Sequence, residues 1–367
     1  MKFSLFVHME RVSPADPEPR LYQEMLELCH MADEGGMCAI WTGEHHGMSF
    51  TIAPNPLLNL VDLARRTKNV RLGTGTVIAP FWHPIKLAGE AAMADIIMDG
   101  RLDLGIARGA YSFEYERIMP GLDAWNAGGR MRELIPAIKG LWAGDYAHEG
   151  QYWQFPATTS APQPLQQPHP PIWVAARDPN SHDFAVANGC HVQCTPLHNP
   201  FSEVESLMQR FNDACAKAPQ VPRPKIMILQ HGYVAKDAAD ADLAARELNH
   251  FYNYFGAWFL NKRPIHKGLI EPITEEEMAV YREKAKLGEG SARALFDAFP
   301  NSYGSLGYAL RLRIELEPVT PYMSLRHVPC GDAASLAKAI ADVTSWTAPT
   351  IPGLGDPTAF AGTPALG

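Results

Sequence analysis

LGTGTVIAPFWHPIKLAGEAAMADIIMDGRLDLGIARGAY, residues 72–111, holds a strand, a helix and a second strand in succession, and this rhythm decides the fold. Residues 70–78 form a β-rich apolar run. Residues 84–98 read as a helix that stops at Asp99-Gly100. Residues 102–107 are a short apolar run of strand length. The alternation continues outward. Upstream, 2–9 and 37–41 read as strands, 21–34 and 56–66 as helices, with Gly35-Gly36 ending the first. Downstream, 171–176, 190–195, 225–234 and 321–327 read as strands; 126–142, 181–188, 202–217, 238–255 and 333–346 read as helices.

Eight strand–helix units are the count for a (β/α)8 TIM barrel of the α/β class, more than an open sheet of five or six strands provides. Two stretches break the rhythm. Residues 145–170, after the fourth strand, contain a hairpin (YAHEGQYWQF, turn at Glu149-Gly150) and a segment rich in Pro and Gln. Residues 258–308, after the seventh strand, are too long for a simple connection and are expected to be partly helical. One domain over 1–347 is expected, followed by a tail at 348–367 rich in Pro, Gly, Ala and Thr.

The formal net charge of −8 argues against a nucleic-acid or anionic-membrane surface, either of which needs a basic stripe. No run reaches the roughly 18–20 apolar residues of a membrane span. MKFSLFVHMER has no small-residue cleavage site after it and reads as a first strand, not a signal peptide. The six cysteines are scattered, and the C-x3-C pair Cys190/Cys194 has no second pair beside it. Reduced thiols in a cytoplasmic protein are expected.

WTGEHHG, residues 41–47, places Glu44, His45 and His46 just past the second strand. A solvated polar loop is one reading. The other is a reacting group on the active-site rim, because barrels carry their chemistry at the carboxyl ends of the strands. A metal site is not expected: adjacent histidines on a strand point to opposite faces, and His8, His191, His231 and His327 fall on other strands without pairing. Gly73-Thr74-Gly75-Thr76 lies inside a strand, where glycine marks a close approach to the backbone. Arg108 directly follows the fourth strand, and its planar fork suits a phosphate; pairing with Glu114 or Asp103 is the plainer alternative. Asp178-Pro179-Asn180-Ser181 would cap the next helix, whose free N–H groups can also receive an anion. The small residues Ala88, Gly89, Ala91, Ala92 and Ala94 suit close packing on a helix of a second subunit, or burial beneath an insertion.

Taken together, GEHHG after the second strand, LGTGTVIAPFWHP at the third, GRLDLGIARGAY at the fourth and PPIWVAARDPNS at the fifth resemble the bacterial luciferase-like flavin monooxygenases, a (β/α)8 family; YMSLRH fits the last strand. The resemblance implies roles by position. His45 matches the catalytic histidine, with Glu44 orienting. Gly75-Thr76 falls where the family often has a non-proline cis peptide against the flavin. Arg108 matches the arginine holding the FMN phosphate. Ser181 falls at a phosphate-binding hydroxyl, beside Arg177 and Asp178, and Tyr111 near the ring. Asp178 departs from the pattern, since a carboxylate repels a phosphate. Ala107 stands where luciferase proper carries a reactive cysteine, so light emission is not implied.

The implied activity is oxygenation of a small, apolar organic substrate by reduced FMN and O2 through a C4a-peroxyflavin, with His45 managing the proton. A separate NAD(P)H:flavin reductase would supply the flavin, since no G-x-G-x-x-G opens a helix here. A homodimer through the helices at 56–66 and 86–98 is the family-like expectation. Two alternatives stay open: a deazaflavin (F420)-dependent oxidoreductase on the same barrel, and a non-catalytic flavin-binding protein.

Overall fold

The computed structural model describes residues 2–277, apart from 197, 198, 200, 201, 261, 262 and 275. The strand expected at 321–327, the helix at 333–346, the tail at 348–367 and the part of the 258–308 segment beyond residue 277 lie outside the described residues. So does Cys330.

In chain order the elements are β1 (Ser4–Val7), α1 (Glu18–Glu34), β2 (Ala39–Thr42), α2 (Pro56–Arg66), β3 (Arg71–Thr74), β4 (Val77–Ile78), α3 (Pro84–Ile97), β5 (Leu102–Ala107), α4 (Ser112–Ile118) and α5 (Ala124–Ala143). A hairpin of β6 (Tyr146–Glu149) and β7 (Gln154–Thr158) follows. Then come β8 (Ile172–Ala175), α6 (Pro179–Ala187), β9 (His191–Cys194), α7 (Ser202–Lys217), β10 (Ile226–Ile228), α8 (Ala238–Leu260) and the short pair β11 (Ile265–His266) and β12 (Leu269–Ile270). One curled parallel sheet runs β1-β2-β3-β5-β8-β9-β10, with β4 paired to β5. This is the TIM-barrel type of sheet, wound with helices between its strands.

Alternation along the strands separates two cores. Leu5 and Val7 face outward into the large core shared with the helices, where Leu60, Leu63, Leu87 and Leu134 are buried. Phe6, Trp41, Trp173 and Met227 face inward and fill the barrel. Trp41 lies opposite Phe6 on one side and Gly73 on the other. That register explains the glycine: a Cβ on Gly73 would sit 2.1 Å from the Trp41 ring. The close approach signalled by Gly73 is therefore an indole of the barrel's own interior.

The third strand, expected to be continuous over 70–78, divides into β3 and β4 at a cis peptide between Gly75 and Thr76. At the break the Thr74 hydroxyl takes over the ladder, donating to the Gly105 carbonyl and accepting from the Gly105 N–H, each at 2.7 Å. The hairpin of the first insertion forms as expected, and Glu133 of α5 anchors its tip by accepting from the N–H groups of Gln151, Tyr152 and Trp153. The Pro/Gln-rich stretch then lies along α3, held by buried Asp95, which accepts from the backbone and side-chain amides of Gln166. One flank of α3 is thus covered by the insertion, while Met93 and Ile96 of α3, like Leu58 of α2, stay exposed.

The helix after β10 departs from expectation. Instead of an outer helix ending at 255, α8 runs to Leu260 and lies across the carboxyl ends of the first, second and fourth barrel strands. Its aromatic residues cause this. Tyr252, Tyr254 and Trp258 bury themselves against Met48, Phe50, Tyr111 and Phe113 in a second core. The Tyr254 hydroxyl donates to the Arg11 carbonyl at 2.9 Å, and the β11–β12 turn docks through Ser49 N–H to the Gly268 carbonyl at 2.7 Å. Among the described residues, no helix is long and apolar enough to cross a membrane.

Candidate active site

The loop after β2 and the short helix α4 after β5 meet at the mouth of the barrel. His45 is partly buried, and its Nδ1 lies 3.1 Å from Oε2 of Glu114, whose other oxygen accepts from the His46 N–H at 2.8 Å. Glu114 is buried on α4 and receives no solvent competition for these bonds. With Nδ1 facing a carboxylate, His45 carries its proton there and presents Nε2 to the mouth. Phe50 and Tyr111 flank the ring edge-on, with centroids at 5.5 and 5.2 Å.

Glu44 has a different task. It is buried, and it accepts from the Ile78 N–H and the Trp82 indole N–H, both at 2.8 Å, and meets His46 Nε2 at 2.6 Å. It therefore ties the second strand end to the third and touches His46, not His45. Burial disfavours the His46 cation, but the hydrogen bond and charge of Glu44, with Glu114 beyond, outweigh it and raise the pKa.

Two further histidines complete the rim. His8 follows β1, with its Nδ1 against the Thr51 hydroxyl. Burial, with the nearby His45 and His231 adding to it, pushes its pKa down to about 3. At His231 burial likewise pushes the pKa down, to about 4. Both rings are therefore neutral near pH 7. Among the described residues, no three His, Cys, Asp or Glu side chains converge closely enough to hold a metal ion.

On the other side of the mouth lie β5 and β8, paired with Ile106 opposite Val174. That register brings the residues just past the two strands, Arg108 and Arg177, to neighbouring positions. Arg108 is exposed; it donates to the Ala124 carbonyl at 3.1 Å and makes no ion pair among the described residues. The plainer alternative fails because Glu114 is engaged by His45 and Asp103 by Arg71. Arg177 pairs loosely with Glu203 at 3.6 Å, and its buried Nε has no partner among the described residues. Asp178 caps α6: burial would raise its pKa, but hydrogen bonds from the Ser181 hydroxyl and N–H outweigh that and lower it. The carboxylate turns onto the helix, and the Ser181 hydroxyl donates to it. Two guanidiniums with unfilled donors on adjacent strand ends fit a phosphate-bearing cofactor.

The profile of the luciferase-like monooxygenases matches residues 1–344. The chain belongs to the luciferase-like monooxygenase family. This monooxygenase is 65% identical over 314 residues to the oxygenase component of the flavin-dependent trigonelline monooxygenase of Acinetobacter baylyi (strain ADP1), spanning 84% of this chain and 87% of that one. Its fold matches the crystal structure of the monooxygenase RslO1 from Streptomyces bottropensis with a TM-score of 0.68 at 30% identity, over 83% of this chain and 92% of that one. It also matches the oxygenating constituent of 3,6-diketocamphane monooxygenase from Pseudomonas putida, a complex with FMN, with a TM-score of 0.65 at 18% identity, over 83% and 91% of the two chains. The monooxygenase is thus a flavin-dependent oxidoreductase, and neither the deazaflavin nor the carrier alternative is needed.

The structure brings His45, Tyr111 and the cis Gly75–Thr76 bond to one mouth, and Arg108, Arg177 and Ser181 to the adjoining strand ends. Sequence reading missed three parts of it: Glu114 as the partner of His45, the pair His8 and His231, and the aromatic cover of α8. Only the last left a local signal, the six aromatic residues of FYNYFGAWF at 251–259.

Proposed function

We propose that this monooxygenase is the oxygenase component of a two-component system, acting in the cytoplasm with reduced FMN from a separate NAD(P)H:flavin reductase and oxygenating trigonelline, the N-methylated pyridinium carboxylate. The 65% identity across 84% of the chain carries the reading. It narrows the apolar substrate expected from sequence to a flat ring with a permanent charge.

When bound, reduced flavin supplies the activation of O2. The protein's residues do the rest. Arg108 and Arg177 would grip the flavin's phosphate, with the Ser181 N-terminal turn alongside. Gly75, Thr76 and Tyr111 would border its ring. His45 holds and moves one proton at Nε2, and Glu114 fixes its orientation through Nδ1. The aromatic cover of Phe50, Phe251 and Phe255 keeps water from the reacting atoms. The exposed Leu58, Met93 and Ile96 of α2 and α3 support a homodimer through that face.

The test is single-turnover mixing of the protein, chemically reduced FMN and trigonelline with isotopically labelled O2. Incorporation of one labelled oxygen atom into product, coupled to flavin oxidation, is expected. Hydrogen peroxide alone, with trigonelline recovered intact, overturns the proposal.

A further inference from the structure

Three carboxyl groups surround the mouth in the described residues, and two are fully engaged. Glu44 has three partners and Glu114 holds His45 and the His46 N–H. The third, Glu10, is different. Phe6, His8 and Glu10 continue one inward-facing row off β1, since alternate residues share a face. Phe6 lies in the barrel's inner core and His8 packs on Phe50 at 5.0 Å, so the row climbs from the barrel floor to the aromatic cover. Among the described residues, the group paired with Glu10 is His8, 3.9 Å away, which is held neutral and offers no charge. Burial raises the Glu10 pKa to about 7, opposed only by its own backbone N–H. A carboxyl so placed has no counter-charge among the described residues.

From His8 the row reaches an aromatic wall through Phe50. Phe251, Phe255 and Phe259 follow one another at four-residue spacing on α8, so they share one face. Their rings are nearly parallel, 20° and 28° apart. All three keep part of their surface open, unlike Tyr254 and Trp258 on the buried side of the helix. Phe50 joins this wall to the histidines, with ring centroids 6.2 Å from Phe251 and 5.7 Å from Phe255. Ring faces are electron-rich and attract a desolvated cation, most strongly one that is itself flat and able to stack.

We propose that Glu10 is the counter-ion, and the Phe251–Phe255 wall the stacking surface, for an N-alkylated heteroaromatic cation bound between β1 and α8. The assignment rests on the substrate reading above and adds to it the residues that select charge. Neutral His8 and His231 fit the same role, because protonated rings there would repel the bound cation. His231 Nδ1 lies 3.2 Å from the Tyr252 hydroxyl, and in the tautomer that accepts there Nε2–H is left as a donor. A carboxylate on the substrate ring would find that donor without meeting a second positive charge.

The experiment measures binding of three probes by calorimetry to the FMN-equilibrated protein: trigonelline, the N-methylpyridinium ion and neutral nicotinamide. Wild type, E10Q and F255L are compared. Wild type should prefer both cations to nicotinamide by about tenfold or more, the scale of a desolvated cation–π contact with an opposite charge nearby. E10Q should weaken both cations by at least about tenfold and leave nicotinamide within about twofold; F255L should weaken the cations by a smaller factor. E10Q binding the cations like wild type overturns the assignment. Should E10Q fail to fold, F255L decides it: an undiminished cation preference there overturns it. Wild type that binds N-methylpyridinium but not trigonelline leaves Glu10 in its role and removes the substrate reading. Wild type that binds neither cation removes both.

Discussion

His45 and Glu114 stand 69 residues apart in the chain, and their side chains meet at 3.1 Å at the mouth of the barrel. The carboxylate binds both the ring of His45 and the backbone of the next residue, so it fixes the loop and the tautomer together. Removing it frees the ring without touching the flavin's phosphate end. E114A is expected to lower product formation by about 10–100-fold, the usual effect of losing the partner that orients a histidine. FMN affinity should stay within a few-fold; a loss of FMN affinity as large as the loss of product formation would mark a structural defect instead.

His45 itself should matter more. H45A is expected to reduce substrate oxygenation by at least about 100-fold, the lower end for a lost acid–base group. Flavin oxidation should continue and peroxide yield should rise. Equal product yields from H45A and wild type in single-turnover assays would remove His45 from the chemistry.

Arg108 presents its charge to solvent with one backbone bond holding it in place. R108A is expected to weaken FMN binding by about 10–100-fold, as loss of a charge-assisted fork to a phosphate does. R108K should recover part of that, since lysine keeps the charge and loses the fork. Fluorescence titration with FMN, and with riboflavin as the phosphate-free control, measures both; riboflavin binding should not change.

Stability has its own carboxylate. Asp33, buried on α1, accepts from the N–H groups of Lys68, Asn69 and Val70 and so pins the turn that delivers β3. Burial would raise its pKa, but these three bonds, helped by Arg101, outweigh it and lower it. A depressed folded-state pKa gives stability that is complete above the unfolded value of about 3.9 and is lost as pH falls through the folded value. D33N should cost about 1–3 kcal/mol at pH 7 by urea unfolding, and the gap to wild type should narrow at the acid end.

Two glycines should respond oppositely to alanine. A Cβ on Gly105 would lie 2.0 Å from the Thr74 carbonyl oxygen, a backbone atom that cannot move aside. G105A is expected to destabilise by about 1–3 kcal/mol or more. Gly128, within α5, has nothing within 4 Å of its would-be Cβ. G128A should stabilise by about 0.5–1 kcal/mol through helix propensity alone. Thermal melts of the two variants check the signs.

The strands and their order were readable because each is a short apolar run bounded by a glycine, proline or capping turn, and such signals are local. So was the placement of His45 and Arg108, since each directly follows such a run and a barrel puts strand ends on one rim. The short helix α4 was not readable: seven residues are too few to show a helical period, and its buried Glu114 looks like any loop acid. The course of α8 was equally hidden. Its aromatic residues announce burial but not the surface that buries them.

The sequence by itself determined the alternation of strand and helix, the wound parallel sheet, the rim position of EHH and ARG, and the resemblance to flavin monooxygenases. Only the tertiary structure decided which carboxylate serves which histidine: Glu44 goes to His46, the Ile78 N–H and Trp82, and Glu114 to His45. It also decided that α8 crosses the mouth and sets an aromatic wall against Phe50, the ring that packs on His8. Periodicity is a property of neighbours along the chain. Partners brought together by winding a sheet are separated by tens to hundreds of residues, and no local pattern records which of several equivalent acids will be nearest.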